Sequence, residues 1–238
     1  MKFKKTHIAL FFLFGIKSTV GHAQPDAPNT HSGKSLFSNE LFNSLLKDTS
    51  VVIERDTSFN RIDTRIRAAA IRLKQKALIV KEYLVENNYN SDIVFMVDMS
   101  IPSGKDRFFV YNLNNDSVDF TALVSHGSGS YKPKCDDQLM FSNLANSNAT
   151  SIGRYRIGDA YTGTYGHSYK LHGLDSTNSN AFQRSIVLHS DNYVPVKETY
   201  PYHIFESAGC PTVAPSFLTV LDKYMKNTKK PMMLWIYN

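Results

Sequence analysis

Asp92-Ile93-Val94-Phe95-Met96-Val97-Asp98 and Arg107-Phe108-Phe109-Val110-Tyr111-Asn112-Leu113 are the two runs on which the fold turns. Both are apolar and dense in β-branched and aromatic residues, the composition of strands. Asn114-Asn115-Asp116 supplies a turn, and Val118 to Val124 returns, so the region reads as a hairpin. Downstream, Gly153 to Ile157, Arg184 to His189 and Met232 to Tyr237 are further strand candidates, and Phe217 to Met225 reads as one short helix. Upstream the punctuation changes. No Gly occurs between Gly33 and Gly104, and no Pro between Pro28 and Pro102. A helix is expected from about Asn60 to about Glu86, with Ile62, Ile66, Ala69, Leu73, Ala77, Val80 and Leu84 in steps of three and four along one face. Ser38 or Asn39 is placed to cap a shorter amphipathic piece carrying Leu41, Leu45 and Leu46. The layout is a mainly β unit, sandwich- or barrel-like, with a helical N-terminal segment packed on it, α+β overall. Residues 36–90 form the helical segment and 91–238 the β-rich domain.

Composition excludes several classes. The 238 residues are 42% hydrophobic and 20% charged, which is ordinary for a globular chain and unlike a disordered, collagenous or multi-span membrane protein. The formal charge of +6 is concentrated at one end. Lys2, Lys4, Lys5 and Lys17 are four of the 27 basic residues; without them 23 bases face 21 acids, which gives no electrostatic case for a nucleic-acid partner. Those lysines belong to a three-part export pattern. Met1 to Lys5 is a positive n-region, Ile8 to Ile16 an apolar h-region, and Gly21-His22-Ala23 a small-residue cleavage site. The apolar stretch is too short to span a bilayer, which takes about 20 residues. Residues 1–23 are therefore read as a signal peptide and 24–35 as a polar linker. No stable membrane span is expected after cleavage, and the mature chain is placed in the periplasm or cell envelope.

Export changes how cysteines are read. The chain has two, Cys135 and Cys210. In an oxidising compartment an even pair suggests a structural disulfide; the competing reading is a working thiolate. Cys210 sits in Ser207-Ala208-Gly209-Cys210-Pro211, with Ile186-Val187-Leu188-His189-Ser190 upstream. A thiol attacks a carbonyl as thiolate and needs a nearby base, for which His is suited near neutral pH. Glycine before the cysteine allows close backbone approach, and Pro211 fixes the chain after it. A Cys and a His at this separation are a weak signal alone, and both readings stand on these residues.

The wider pattern is more specific. Ser125-His126-Gly127-Ser128-Gly129-Ser130, Phe141-Ser142-Asn143, Ser151-Ile152-Gly153-Arg154-Tyr155, Leu171-His172-Gly173-Leu174, Arg184 to Ser190 and Ser207 to Pro211 occur in order. Together they resemble the murein L,D-transpeptidase catalytic domain family (YkuD-like), over Ser91 to Asn238 and more loosely over the preceding helix. The resemblance implies an acyl-transferase acting on peptidoglycan stem peptides without a cofactor. By that resemblance Cys210 is the nucleophile, His189 its base, and Ser190 the residue whose carbonyl orients the imidazole. Gly209 and Cys210 would supply oxyanion N–H groups, Ser207 would shape the loop, and Gly153 and Tyr155 would border the peptide groove. Three departures stand out: Ala208 replaces the family's usual His or Lys, Thr212 replaces its usual Arg, and the loop between His189 and Cys210 is long.

The resemblance leaves two outcomes for the acyl-enzyme: transpeptidation to a second stem, or hydrolysis by an L,D-carboxypeptidase. A non-catalytic envelope module with a Cys135–Cys210 bridge is the alternative of a different class. His126 reads either as a turn residue or as an active-site wall, and His172 and His203 as bystanders. No pair of these histidines has metal-ligand spacing with a carboxylate, so no metal site is expected. No protein partner is expected.

Overall fold

The computed structural model describes residues 39–47, 59–131 and 138–238. The expected signal peptide, the linker and Cys135 lie outside the described residues. The elements in chain order are α1 (Asn39–Lys47), α2 (Phe59–Glu86), β1 (Ile93–Asp98), β2 (Phe108–Asn112), β3 (Ser117–Ala122), β4 (Gly153–Gly163), β5 (Gly166–Gly173), β6 (Val187–Ser190), β7 (Thr212–Val213), α3 (Pro215–Lys226) and β8 (Met233–Tyr237). The strands make one sheet in the order β3-β2-β1-β8-β4-β5-β6-β7. Pairing is antiparallel except at β1–β8 and β6–β7. An antiparallel bridge from Val124 to Val213 joins the residue just past β3 back to β7, so the sheet curls into a barrel-like ring.

The continuous apolar runs of β1 and β2 have a physical reason: both faces of these strands are covered. Phe95, Val97, Phe108 and Val110 point to an inner core with Tyr155, Leu171, Leu188, Val213, Leu234 and the Phe217, Leu218 and Leu221 side of α3. Their neighbours Val94, Met96, Phe109 and Tyr111 point the other way, onto Leu73, Ala77, Val80 and Leu84 of α2. The helical stripe read from sequence is the buried face of α2 from Ile66 to Leu84. An ion pair and a cation–π contact tether α2: Arg72 to the buried Asp98 at the end of β1, at 2.8 Å, and Arg154 on β4 over the Tyr83 ring at 4.3 Å. From α1, Asn43 clasps the edge strand β3, accepting from Val118 N–H at 2.8 Å and donating to its carbonyl at 3.1 Å. That contact covers a strand edge otherwise open to pairing.

Two strands depart from the sequence expectation. β4 continues past Ile157 into a long hairpin with β5, and β5 is a full strand although its sequence interleaves His, Ser, Lys and Gly. Its buried residues are Ser168, Tyr169 and Leu171, too few and too polar to announce a strand. β7 is two residues long, below the length at which periodicity can be read.

Candidate active site

The parallel pairing of β6 with β7 sets the site. His189 is the Cα partner of Thr212 in this register. Cys210 lies two residues before Thr212, so the ladder carries its thiol alongside Val187. The Val187 N–H donates to Cys210 Sγ at 3.5 Å, and the thiol donates to Ser185 O at 3.9 Å. At a strand spacing near 4.8 Å and a rise near 3.3 Å per residue, His189 and Cys210 are roughly 8 Å apart at Cα. Both side chains are buried, Cys210 at 7% exposure and His189 at 3%.

The imidazole is held at both nitrogens. Nδ1 lies 3.2 Å from Ser190 O; a carbonyl only accepts, so Nδ1 carries the proton. The Nε2 lone pair then accepts from the Thr212 hydroxyl at 3.0 Å. The departure at Thr212 is thus a direct partner of the histidine, which sequence spacing gave no sign of. The Tyr165 ring, 53% exposed at the tip of the β4–β5 hairpin, stacks on His189 at 4.4 Å and 20°. Burial lowers the His189 pKa, opposed by the Ser190 carbonyl and by Asp191. Burial pushes the Cys210 thiol up, opposed by the Val187 N–H and by the charge of Arg184. At rest the pair is therefore neutral imidazole and thiol, each engaged with a different partner.

The loop carrying Cys210 is pinned from several sides. Ser207 N–H donates to His126 O at 2.9 Å, and Ser207 Oγ donates to Cys210 O at 2.7 Å. Gly209 N–H donates to Ser207 Oγ at 3.1 Å. Gly209 is the residue expected to offer an oxyanion donor; at rest its N–H is engaged by the Ser207 hydroxyl. Gly209 has φ +113°, and a Cβ there would lie 2.9 Å from Ala149 O, so no other residue fits without strain. Gly127 permits the close approach of the neighbouring segment, since its Cβ would meet Gly209 Cα at 2.8 Å. Arg184 ties the 142–151 segment to this loop, donating to Ser142 O at 2.7 Å and Ala149 O at 2.6 Å.

Gly153 and Tyr155 are the residues expected beside a peptide groove. Both are buried; the Tyr155 ring lies in the inner core and its hydroxyl donates to Ser151 O at 2.6 Å. The aromatic at this position is a packing residue. His172, on β5, stacks on Phe182 at 5.0 Å. His126 is buried and lines a cleft with Arg107 and His203. Among the described residues no group of His, Cys, Asp and Glu is arranged to hold a metal ion. No helix among them is long and apolar enough to cross a membrane.

Comparison with known proteins adds the family. Among curated protein sequences there is no significant match. Solved structures that the chain is similar to include the helical cell shape determining protein Pgp2 from Campylobacter jejuni, at 15% identity and TM-score 0.39, covering 63% of this chain and 49% of that one. An Enterococcus faecium L,D-transpeptidase matches at 12% identity and TM-score 0.36, over 61% of this chain and 50% of its own. One from Xylanimonas cellulosilytica matches at 12% and 0.35, over 66% and 68%. The chain spans about half the length of the first and second of these. The profile of the L,D-transpeptidase catalytic domain matches residues 65–237, most of the chain and all of its sheet, and the chain belongs to that family.

Proposed function

We propose that the chain is an exported cysteine acyl-transferase acting on peptidoglycan stem peptides in the periplasm or cell envelope. Cys210 is the nucleophile and His189 the base. The observation that carries the reading is the contact of His189 Nδ1 with Ser190 O: a carbonyl only accepts, so Nδ1 carries the proton and the lone pair lies on Nε2, the nitrogen turned toward Thr212 of β7. A turn of the Cys210 side chain away from Ser185, with release of the Thr212 hydroxyl, brings thiol and lone pair together. Nε2 then takes the thiol proton as the sulfur attacks the carbonyl of the bond between the L-centre and D-Ala. The Cys210 N–H supports the oxyanion. The imidazolium returns the proton to the departing D-Ala amine, leaving a thioester. An amine of a second stem takes the acyl group to form a crosslink. Water in its place gives a shortened stem.

Incubation of the mature protein with purified disaccharide-tetrapeptides tests this. Mass analysis is expected to find a D-Ala-shortened product or a crosslinked dimer, absent with Cys210→Ala. Full turnover by Cys210→Ala would rule the assignment out. A second reading draws on the resting contacts of Cys210 with Val187 and Ser185: a stem-binding module that does no chemistry. Its mark is binding of the tetrapeptide with neither product formed.

A further inference from the structure

The ring closure that places the Cys210 loop also builds a second polar cleft, which the acyl-transfer steps do not use. Met99, Ile101, Arg107, His126, Tyr131 and His203 are among its walls. Arg107 is fully buried there. It donates through Nε and Nη2 to Val124 O at 3.0 and 2.8 Å, through Nη1 to Ile101 O at 3.2 Å, and through Nη2 to His126 Nδ1 at 3.0 Å. None of these acceptors is a carboxylate. Asp98 acts on the guanidinium only from a distance and is itself paired with Arg72. Burial pulls Arg107 down to about 9, so it keeps its charge at neutral pH.

A guanidinium can only donate, so His126 Nδ1 holds the lone pair and the ring proton lies on Nε2. Burial, then the charges of Arg107 and His203, bring His126 down to about 3, so the ring stays neutral. The residue is 3% exposed, and its Nε2 has no hydrogen-bond partner among the described residues. A buried donor without an acceptor is destabilising until something accepts from it. The nearest acid is Glu206, with Oε1 at 3.7 Å and a side chain 34% exposed. One positive charge, the unpaired His126 N–H, the uncharged side chains of Ser103 and Gln138, and apolar walls from Met99, Ile101 and Leu139 suit a small singly charged acid better than a phosphate dianion.

We propose that this cleft binds a peptide carboxylate, with His126 Nε2–H as the donor, Arg107 as the positive field and Glu206 as an internal competitor at its edge. The choice of a peptide acid rests on the stem-peptide reading above, since such stems end in a D-alanyl carboxylate. The cleft lies directly behind the nucleophile loop. His126 O accepts from Ser207 N–H, Ser207 Oγ donates to Cys210 O, and Glu206 is the residue before Ser207. Occupancy is thereby sensed one residue from the hydrogen bonds that hold Cys210.

The test uses the Cys210→Ala protein, so that no turnover intervenes, with N-acetyl-D-alanine and its primary amide as probes. The readouts are affinity and the NMR signal of the His126 Nε2–H. The acid is expected to shift that signal and to bind at least tenfold more tightly than the amide. Glu206→Gln is expected to tighten the acid severalfold, because the competing charge is gone. His126→Phe should cut the preference for acid to what the charge of Arg107 alone supplies, whereas His126→Gln, which keeps an N–H donor, retains more of it; melting curves confirm that each variant is folded. Equal binding of acid and amide, an unmoved His126 signal, or weaker acid binding in Glu206→Gln overturns the proposal. Muropeptide turnover by the wild type is scored separately. Turnover without carboxylate preference sinks this inference alone, and carboxylate binding without turnover sinks the acyl-transfer reading alone.

Discussion

Replacing Thr212 with Val keeps the buried shape and removes one hydroxyl. That hydroxyl donates to His189 Nε2 at 3.0 Å, on the lone pair needed to accept the Cys210 proton. If catalysis begins by breaking this bond, its loss lowers the barrier by what the bond is worth. A neutral buried hydrogen bond contributes about 1 kcal/mol, which corresponds to about fivefold in rate. The folded state pays in the opposite direction, since Nε2 is left without a donor. A loss of about 1–2 kcal/mol follows, or roughly 2–4 °C in melting temperature per kcal/mol for a chain of this size. The sign of the pKa change is also fixed: the hydroxyl stabilises the neutral ring, so its removal raises the His189 pKa. The assay is alkylation of Cys210 by iodoacetamide, followed by peptide mass analysis so that Cys135 is counted apart. Thr212→Val should react about fivefold faster than wild type, and Thr212→Ser at the wild-type rate. A tenfold slower reaction in Thr212→Val, with Thr212→Ser normal, would mean that the hydroxyl belongs to the proton path and that the resting engagement is misread.

Other consequences are measurable on the same protein. The acid limb of the kcat/KM profile for muropeptides reports protonation of His189; because burial lowers that pKa, the limb should fall below the ordinary histidine value of about 6.5. Tyr165→Ala uncovers the ring and should move the limb upward, which NMR titration of His189 also reads. Folded His126 stays neutral down to about 3, so the stability it contributes is complete above about 6.5 and is lost as pH falls from there. Urea unfolding at pH 7 and pH 5 should show wild type losing more than His126→Gln, by up to about 1.4 kcal/mol per pH unit. Asp106, pushed up to about 6 by burial, acts in the opposite sense but equally in both proteins, and cancels in the difference. Leu73→Ala, at the centre of the α2 face against the sheet, should cost about 2–5 kcal/mol by urea unfolding, with Cys210 alkylation unchanged in the folded protein.

Much of the scaffold was legible because burial leaves a period in the sequence. The α2 stripe from Ile66 to Leu84 and the runs of β1 and β2 are hydrophobic for the reason they are ordered: each is covered by another layer. β5 was not legible, because its inward residues include Ser168 and alternate with His and Lys on a wetter face. At the site, chemistry-bearing residue types were readable and their partners were not. His189 and Ser190 meet through a contact that is local in sequence. Thr212 meets His189 through a parallel register that no spacing encodes. The packing of Tyr155 in the core was not legible for a related reason: an aromatic two residues from a glycine looks the same in sequence whether it lines a groove or fills a core. Tyr165 and Arg184 depend on a hairpin length and on backbone carbonyls of a distant loop, which become visible only in three dimensions.

The central claim is that Cys210 becomes acylated by a stem peptide while His189 takes its proton. Intact-protein mass spectrometry after rapid mixing with disaccharide-tetrapeptide tests it most directly. The account predicts a transient adduct equal to the stem acyl group without D-Ala, mapped to Cys210, absent in Cys210→Ala and slowed at least a hundredfold in His189→Ala. An adduct on any other residue, or undiminished adduct formation in His189→Ala, would contradict it.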